Sequence, residues 1–305
     1  MPAFFNGVFG HKPSGGLIPG TGQYPVAGGV ALKYLTTGPL CRKAEDLAFL
    51  STIMMGPDEQ DEGCVEFPEL LELQEKAKSV DISSLQVFWL DSIKSFQVSR
   101  LQPEMRDCLD AAVREMENHC DVTSVKETGR LMKKLNDAVD IWSCMIHKGN
   151  PVTFVSLMAD GKPFSTVWEL LKWLIIGSTP YTAPGLVLCL VEKAPALTPK
   201  RTAQKVRDGE LLRAELEEML GDNGVLLFPS HPKVAPKHTR PLLYPFNWIY
   251  TGIWNVLLAP VTQVPMGLSR KEGLPLGIQV IAKNGNDHLA ESVTQDLENQ
   301  FQGTQ

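Results

Sequence analysis

The chain has 305 residues, 43% hydrophobic and 21% charged. That balance suits one large α/β domain or two smaller ones and excludes a disordered tail or a fibrous repeat. Twenty-nine Lys and Arg against 35 Asp and Glu leave a net charge of −6, so a phosphate-neutralising surface is not expected and nucleic acid is excluded as a partner.

The first residues, Met1-Pro2-Ala3-Phe4-Phe5, have neither a basic segment nor an apolar core, so no signal peptide is predicted and the start reads like the interior of a longer chain. Nine of the 25 glycines fall within the first 38 residues, together with Pro13, Pro19 and Pro25. This predicts loops packed close to other backbone. A helix is expected from Arg42 to Met55, with Ala44, Leu47, Ala48 and Leu50 or Met54 on its apolar face and Gly56-Pro57 ending it. Residues 57–80 are acidic and polar and read as a surface excursion.

Leu85 to Leu90 predicts a strand, Pro103 opens a helix with Met105, Leu109, Ala112, Val113 and Met116 at helical spacing, and Val122 to Val125 predicts a second strand. Strand, helix and strand in that order imply parallel pairing. The region 131–220 reads as mostly helical. Asp222-Asn223-Gly224 turns into a strand at Val225 to Phe228, Ile278 to Ala282 forms the last strand, and Asp287 is expected to cap a closing helix with Leu289, Val293, Leu297 and Phe301 on one stripe. The sheet is thus drawn from both ends of the chain, as one domain with a helical insertion.

Motifs that carry chemistry are scarce. Gly20-Thr21-Gly22 meets Pro25 where a dinucleotide loop needs its third glycine, and neither a phosphate loop nor G-x-S-x-G is present. Ser230-His231-Pro232-Lys233 matches S-x-x-K, but Pro232 forbids the helical turn that would align serine and lysine, so the match is read as coincidence. The histidines His11, His119, His147, His231, His238 and His288 show no metal-ligand spacing and are expected in loops or at the surface. The cysteines Cys41, Cys64, Cys108, Cys120, Cys144 and Cys189 never form C-x-x-C and read as buried thiols. No metal and no cofactor is expected.

Three stretches together resemble the amidase signature family and, within it, the fatty-acid amide hydrolases. The first runs from Pro2 to Ser14, as PAFFNGVFGHKPS, and continues through Leu17-Ile18-Pro19 and Gly22. The second is Thr37-Gly38-Pro39-Leu40-Cys41-Arg42-Lys43-Ala44-Glu45-Asp46-Leu47, similar to the family's G-P-x-x-R-x-x-x-D-L. The third runs from Phe228-Pro229-Ser230-His231-Pro232 through Asn255, Pro260-Val261-Thr262 and Pro265 to Gly273-Leu274-Pro275-Leu276-Gly277-Ile278-Gln279-Val280.

The resemblance covers nearly the whole chain. It implies an α/β fold with a mixed twisted β-sheet wrapped by helices, of which 1–305 would be the carboxy-terminal portion and the amino-terminal half would be missing. Segment 1–56 would be core following the nucleophile loop, 57–220 a mostly helical part with an apolar hairpin at 164–191, and 221–305 a return to the core sheet.

The chemistry implied by the resemblance is amide hydrolysis by a serine nucleophile, a second serine and a lysine base, with backbone N–H groups receiving the oxyanion. In the family pattern these groups precede the segment matching Pro2-Ala3. None is carried over, and the chain alone is expected to be inactive.

The matching segment Tyr250 to Asn255 suggests an acyl channel formed by Thr251, Ile253, Trp254 and Leu257, whereas the residues alone fit a buried helix equally well. Phe164 to Val191 holds two apolar arms too short to span a bilayer. Trp168, Leu171, Trp173 and Leu174 are therefore expected to lie in a membrane interface, with a buried hairpin as the alternative. A fatty-acid amide substrate, membrane association and a homodimer are the expected partners. A non-catalytic, lipid- or membrane-binding product is the competing functional reading. Without the missing half, strands near Phe228 and Ile278 are expected to stand at open sheet edges.

Overall fold

A computed structural model describes all residues except 25–27, 65–71, 128–130, 150–151, 161, 194–197 and 303–305. The readings at Pro25 and in the middle of the acidic excursion fall outside the described residues, as do the side chains of Pro184 and Val191.

The described chain opens with α1 (Pro2–Asn6) and β1 (Phe9–Lys12), then β2 (Leu40–Cys41), α2 (Glu45–Met54) and α3 (Leu73–Ser79). A β–α–β unit follows, with β3 (Gln86–Trp89), α4 (Pro103–Glu117) and β4 (Asp121–Ser124). Six helices come next: α5 (Leu131–Leu135), α6 (Ala138–Gly149), α7 (Phe154–Ala159), α8 (Thr166–Ile176), α9 (Ala183–Lys193) and α10 (Pro199–Leu220). The chain then returns to the sheet through β5 (Gly224–Pro229), α11 (Ile249–Val256), β6 (Val261–Leu268) and β7 (Pro275–Ala282), and closes with α12 (Asp287–Gln302).

The seven strands form one mixed sheet in the order β2-β1-β6-β7-β5-β3-β4. β3 runs parallel to β4 and to β5, as the strand–helix–strand order requires, while every pairing from β5 through β7, β6 and β1 to β2 is antiparallel. β5 and β7 are therefore central, flanked on both sides. This corrects the expectation of open edges near Phe228 and Ile278. The edges are the short strands β2 and β4, and short edges offer little backbone for foreign pairing.

Period-two alternation along the central strands divides the core into two layers. Leu226, Phe228 and Ile281 face α6, α10 and α11, while Val225, Leu227, Ile278 and Val280 face α1, α2, α4 and α12. In α4 every apolar position read from the sequence is buried, and Cys108 joins them. The acidic excursion is only partly a surface feature, because Leu73 and Ala77 of α3 are buried between neighbouring helices. Five of the six thiols are buried.

Candidate active site

The three family-like stretches, far apart in sequence, meet at one cavity of about 410 Å³. Ala3 of α1, Gly10 and Lys12 of β1, Gly38, Thr251 and Asn255 of α11, Gln263 of β6 and Gln279 of β7 all line it. Two glycines make this approach feasible. Gly7 ends α1 in the left-handed region at φ 65° and so turns the chain into β1. At Gly38 an added Cβ would sit 1.9 Å from the His11 carbonyl oxygen, so only glycine fits.

The polar groups of the cavity are held from behind. Gln263 and Gln279 are register partners across β6 and β7, on the face that looks towards α11. Gln279 Nε2 donates to the carbonyls of Pro229 (2.9 Å) and Tyr250 (2.7 Å), tying β7 to the end of β5 and to α11. Gln263 accepts from Ser230 Oγ and donates through Nε2 to the Val264 carbonyl (3.0 Å). Thr251 Oγ1 donates back to the Trp248 carbonyl (3.0 Å).

Lys12 Nζ donates to the Pro13 carbonyl (2.8 Å). Burial lowers its ammonium to about 8, against the pull of Asp287. A lysine so poised shifts between cation and neutral amine near pH 8, so it can bind an anion or take up a proton.

The same strand also carries a buried network, whose His11 lies at the cavity lining. His11 is buried, with Nδ1 2.9 Å from Thr262 Oγ1 and Nε2 3.0 Å from Asp287 Oδ1. Ser14 donates to Asp287 through its backbone N–H (2.8 Å) and its hydroxyl (2.5 Å), and the Gly285 N–H donates to Ser14 Oγ (2.7 Å). Burial alone would raise the Asp287 carboxyl, but the bonds from His11 and Ser14 outweigh it and hold the group below the ordinary range.

Thr262, His11 and Asp287 follow the order of a hydrolytic triad. All three are nonetheless buried, Thr262 and Asp287 with no exposed surface, and Thr262 does not line the cavity. The set fastens β1 and β6 to α12. Asp287 thus spends its carboxylate on β1 and the loop behind it rather than capping its own helix.

The expected surface or loop placement fails for His11, which is buried within β1, whereas His231 does lie in a loop, after β5, but is buried there. Burial lowers the His231 imidazole to about 4, so it is neutral near pH 7. The remaining candidates separate. Thr251 reaches the cavity, whereas Ile253, Trp254 and Leu257 pack in the core, where the Trp254 and Phe228 ring centroids lie 5.6 Å apart. Ser230 is buried against Gln263, and Lys233 instead places Nζ 3.9 Å from the centre of the Tyr244 ring. Among the described residues no three His, Cys, Asp or Glu side chains are grouped to hold a metal ion.

The hairpin at 164–191 folds as α8 and α9. Trp168, Leu171, Trp173 and Leu174 are 60%, 41%, 42% and 69% exposed. The charges that interrupt this arm neutralise each other, since Lys172 Nζ lies 2.5 Å from Glu169 Oε1 and Thr179 Oγ1 donates to Glu169 Oε2 at 2.7 Å. Among the described residues no helix is long and apolar enough to cross a membrane.

Sequence reasoning missed Lys12, Gln263, Gln279 and the His11–Asp287 pair. Gln279 did leave a signal, because it interrupts an otherwise apolar strand, Ile278-Gln279-Val280-Ile281. A polar side chain there must find partners.

Comparison with known proteins joins these features. The amidase family model matches residues 1–290. Fatty-acid amide hydrolase 2 of Homo sapiens is 42% identical over 312 residues, covering 99% of this chain and 55% of that protein. Fatty-acid amide hydrolase 2-A of Danio rerio is 40% identical with the same coverage. The chain thus spans about half the length of the curated relatives it matches. Among solved structures, a 6-aminohexanoate cyclic dimer hydrolase complexed with substrate superposes with a TM-score of 0.69 at 20% identity, over 98% of this chain and 62% of that one. A bacterial aryl acylamidase superposes at 0.66, also at 20% identity, over 99% and 60%. At that identity they establish the α/β fold.

Proposed function

The chain belongs to the amidase family, and from that premise we propose that it serves the hydrolysis of fatty-acid amides to a fatty acid and an amine. The observation that carries this reading is the meeting of all three family-like stretches at the cavity around Lys12, Thr251 and Gln263. Thr251 and Asn255 offer the polar end of a substrate its hydrogen-bonding partners. Ile253, Trp254 and Leu257 pack in the core behind them and hold this segment in place rather than touching substrate. The exposed apolar face of α8 supports the second element of the proposal, association with a membrane interface from which a lipid amide is taken.

The serine and lysine groups around the site are otherwise engaged. Amide cleavage needs a serine hydrogen-bonded to a base, yet Ser230 donates to an amide oxygen, Ser14 to a buried structural carboxylate, and Lys12 to a carbonyl. The role proposed for this chain is to shape the site and hold the acyl group, and the chain alone is inert. Fluorophosphonate labelling of the purified chain tests this. No specific labelling is expected, and labelling abolished by Ser230→Ala would overturn it.

A further inference from the structure

A separate cavity of about 260 Å³ lies among α2, α3 and α12, in the layer of the sheet opposite α11. Helical spacing gathers its polar residues. Glu291 and Gln295 stand one turn apart on α12, Gln74 and Lys78 one turn apart on α3, and Asp46 and Phe49 on α2.

Some of the charges at its rim are already settled. Lys43 lies 3.2 Å from Glu45, and Lys78 lies 3.3 Å from Glu75. Asp46 forms no ion pair, and Gln74 and Gln295 form no side-chain hydrogen bond, with any described residue. Glu291, at the wall, is only 4% exposed. Its Oε1 receives Ser51 Oγ at 3.5 Å and lies 3.7 Å from His11 Nε2, while its Oε2 is buried with no hydrogen-bond partner among the described residues. A buried carboxylate oxygen left unsatisfied is costly and calls for a donor.

That donor must be small, because the cavity falls just below about 300 Å³, the lower end for ordinary ligand sites. It must be cationic to answer Glu291 and Asp46 together. A metal ion fits poorly, since among the described residues no three His, Cys, Asp or Glu side chains are grouped to hold one. A guanidinium would present two parallel N–H groups to a carboxylate with one open oxygen. A primary ammonium carries three donors on one atom, one for Glu291 Oε2 and two for the amide oxygens of Gln74 and Gln295, and its stem can lie against the Phe49 ring. We propose that this cavity binds a small primary ammonium ion, with Glu291 and Asp46 answering its charge, Gln74 and Gln295 accepting its remaining N–H groups and Phe49 covering its alkyl part.

Ligand-observed NMR titration of the purified chain with propylammonium and with propan-1-ol at pH 8 tests the proposal. At that pH Glu291 has given up the proton that burial holds up to about 7, while an alkylammonium keeps its own, as a lysine does. Propylammonium is expected to bind in the millimolar range, on the order of tenfold or more tightly than propan-1-ol. Propyltrimethylammonium, of equal charge but without N–H donors, should bind more weakly than propylammonium. Glu291→Gln keeps the shape of the side chain, so it should cost propylammonium on the order of tenfold in affinity with the circular dichroism unchanged. Asp46→Asn, at an exposed position, should cost about threefold. Thr251→Trp, in the first cavity, should not alter the binding.

Equal binding of propylammonium with either the alcohol or the trimethyl cation would overturn the proposal, as would full affinity in the Glu291→Gln variant. Should that variant disturb the fold, full affinity in Asp46→Asn would overturn it instead. Loss of binding through Thr251→Trp alone would place the amine in the first cavity and contradict the proposal as well. None of these readouts depends on hydrolysis, so failure here is separate from failure of the proposed activity, which fluorophosphonate labelling reports.

Discussion

Helices α4 and α8 place apolar residues at the same helical spacing and use them in opposite ways. Met105, Leu109, Ala112, Val113 and Met116 of α4 close against the sheet and α12, leaving a charged outer face. In α8 only Thr166 and Glu169 are buried, while Trp168, Leu171, Trp173 and Leu174 face outward. Water-soluble surfaces rarely gather so many large apolar side chains without a partner. The difference teaches that periodicity tells where a helix lies, while what covers its apolar face depends on the elements that return to pack on it.

The sharpest way to break this contrast is to open the layer on which α4 and α12 rest. Asp287→Ala strips His11 and Ser14 of their shared buried partner. It is expected to cost about 3–5 kcal/mol, read as a lower midpoint in urea unfolding. Leu109→Ala, within α4, should cost about 2–5 kcal/mol by transfer and cavity formation.

A smaller, pH-dependent effect is expected at Glu291, where burial lifts the carboxyl from 4.5 to about 7. Its Oε1 receives Ser51 Oγ at 3.5 Å and lies 3.7 Å from His11 Nε2, with Asp287 nearby on the same helix and Asp46 and Lys78 at the adjoining cavity. Between pH 4.5 and 7 the folded state holds a proton that the unfolded state has released, so this group's contribution to stability falls as pH rises through that window and stays low above it. Glu291→Gln should therefore stabilise the fold by on the order of 1–3 kcal/mol at pH 8 and by much less at pH 4.5. Thermal unfolding at the two pH values checks this, and an equal gain at both would exclude the titration.

The smallest stability effect belongs to the hairpin. Trp168→Asp with Trp173→Asp should leave the unfolding midpoint within about 0.5 kcal/mol of the parent, because both residues are exposed.

Much of the architecture was legible because its signals are local. The helix opened by Pro103, the turn at Asp222-Asn223-Gly224 and the parallel pair around α4 all follow from short patterns. Strands β1 and β6 were not legible, because Pro265, Gly267 and Gly10 interrupt their apolar runs and their pairing is decided across some 250 residues of sequence. The same distance hid the partnership of His11 with Asp287, and it made Asp287 look like a helix cap. The family resemblance pointed to Thr251, which the fold places at the cavity lining. Lys12 stood within a quoted motif, and its chemical interest emerges only from its burial.

The central claim, that the outward face of α8 meets lipid, is tested most directly by co-sedimenting the chain with phosphatidylcholine liposomes while circular dichroism follows its fold. The parent chain is expected to pellet with the vesicles, and the Trp168→Asp, Trp173→Asp variant to remain in the supernatant with an unchanged spectrum. A variant that loses its fold, or a folded variant that still pellets like the parent, would contradict the claim.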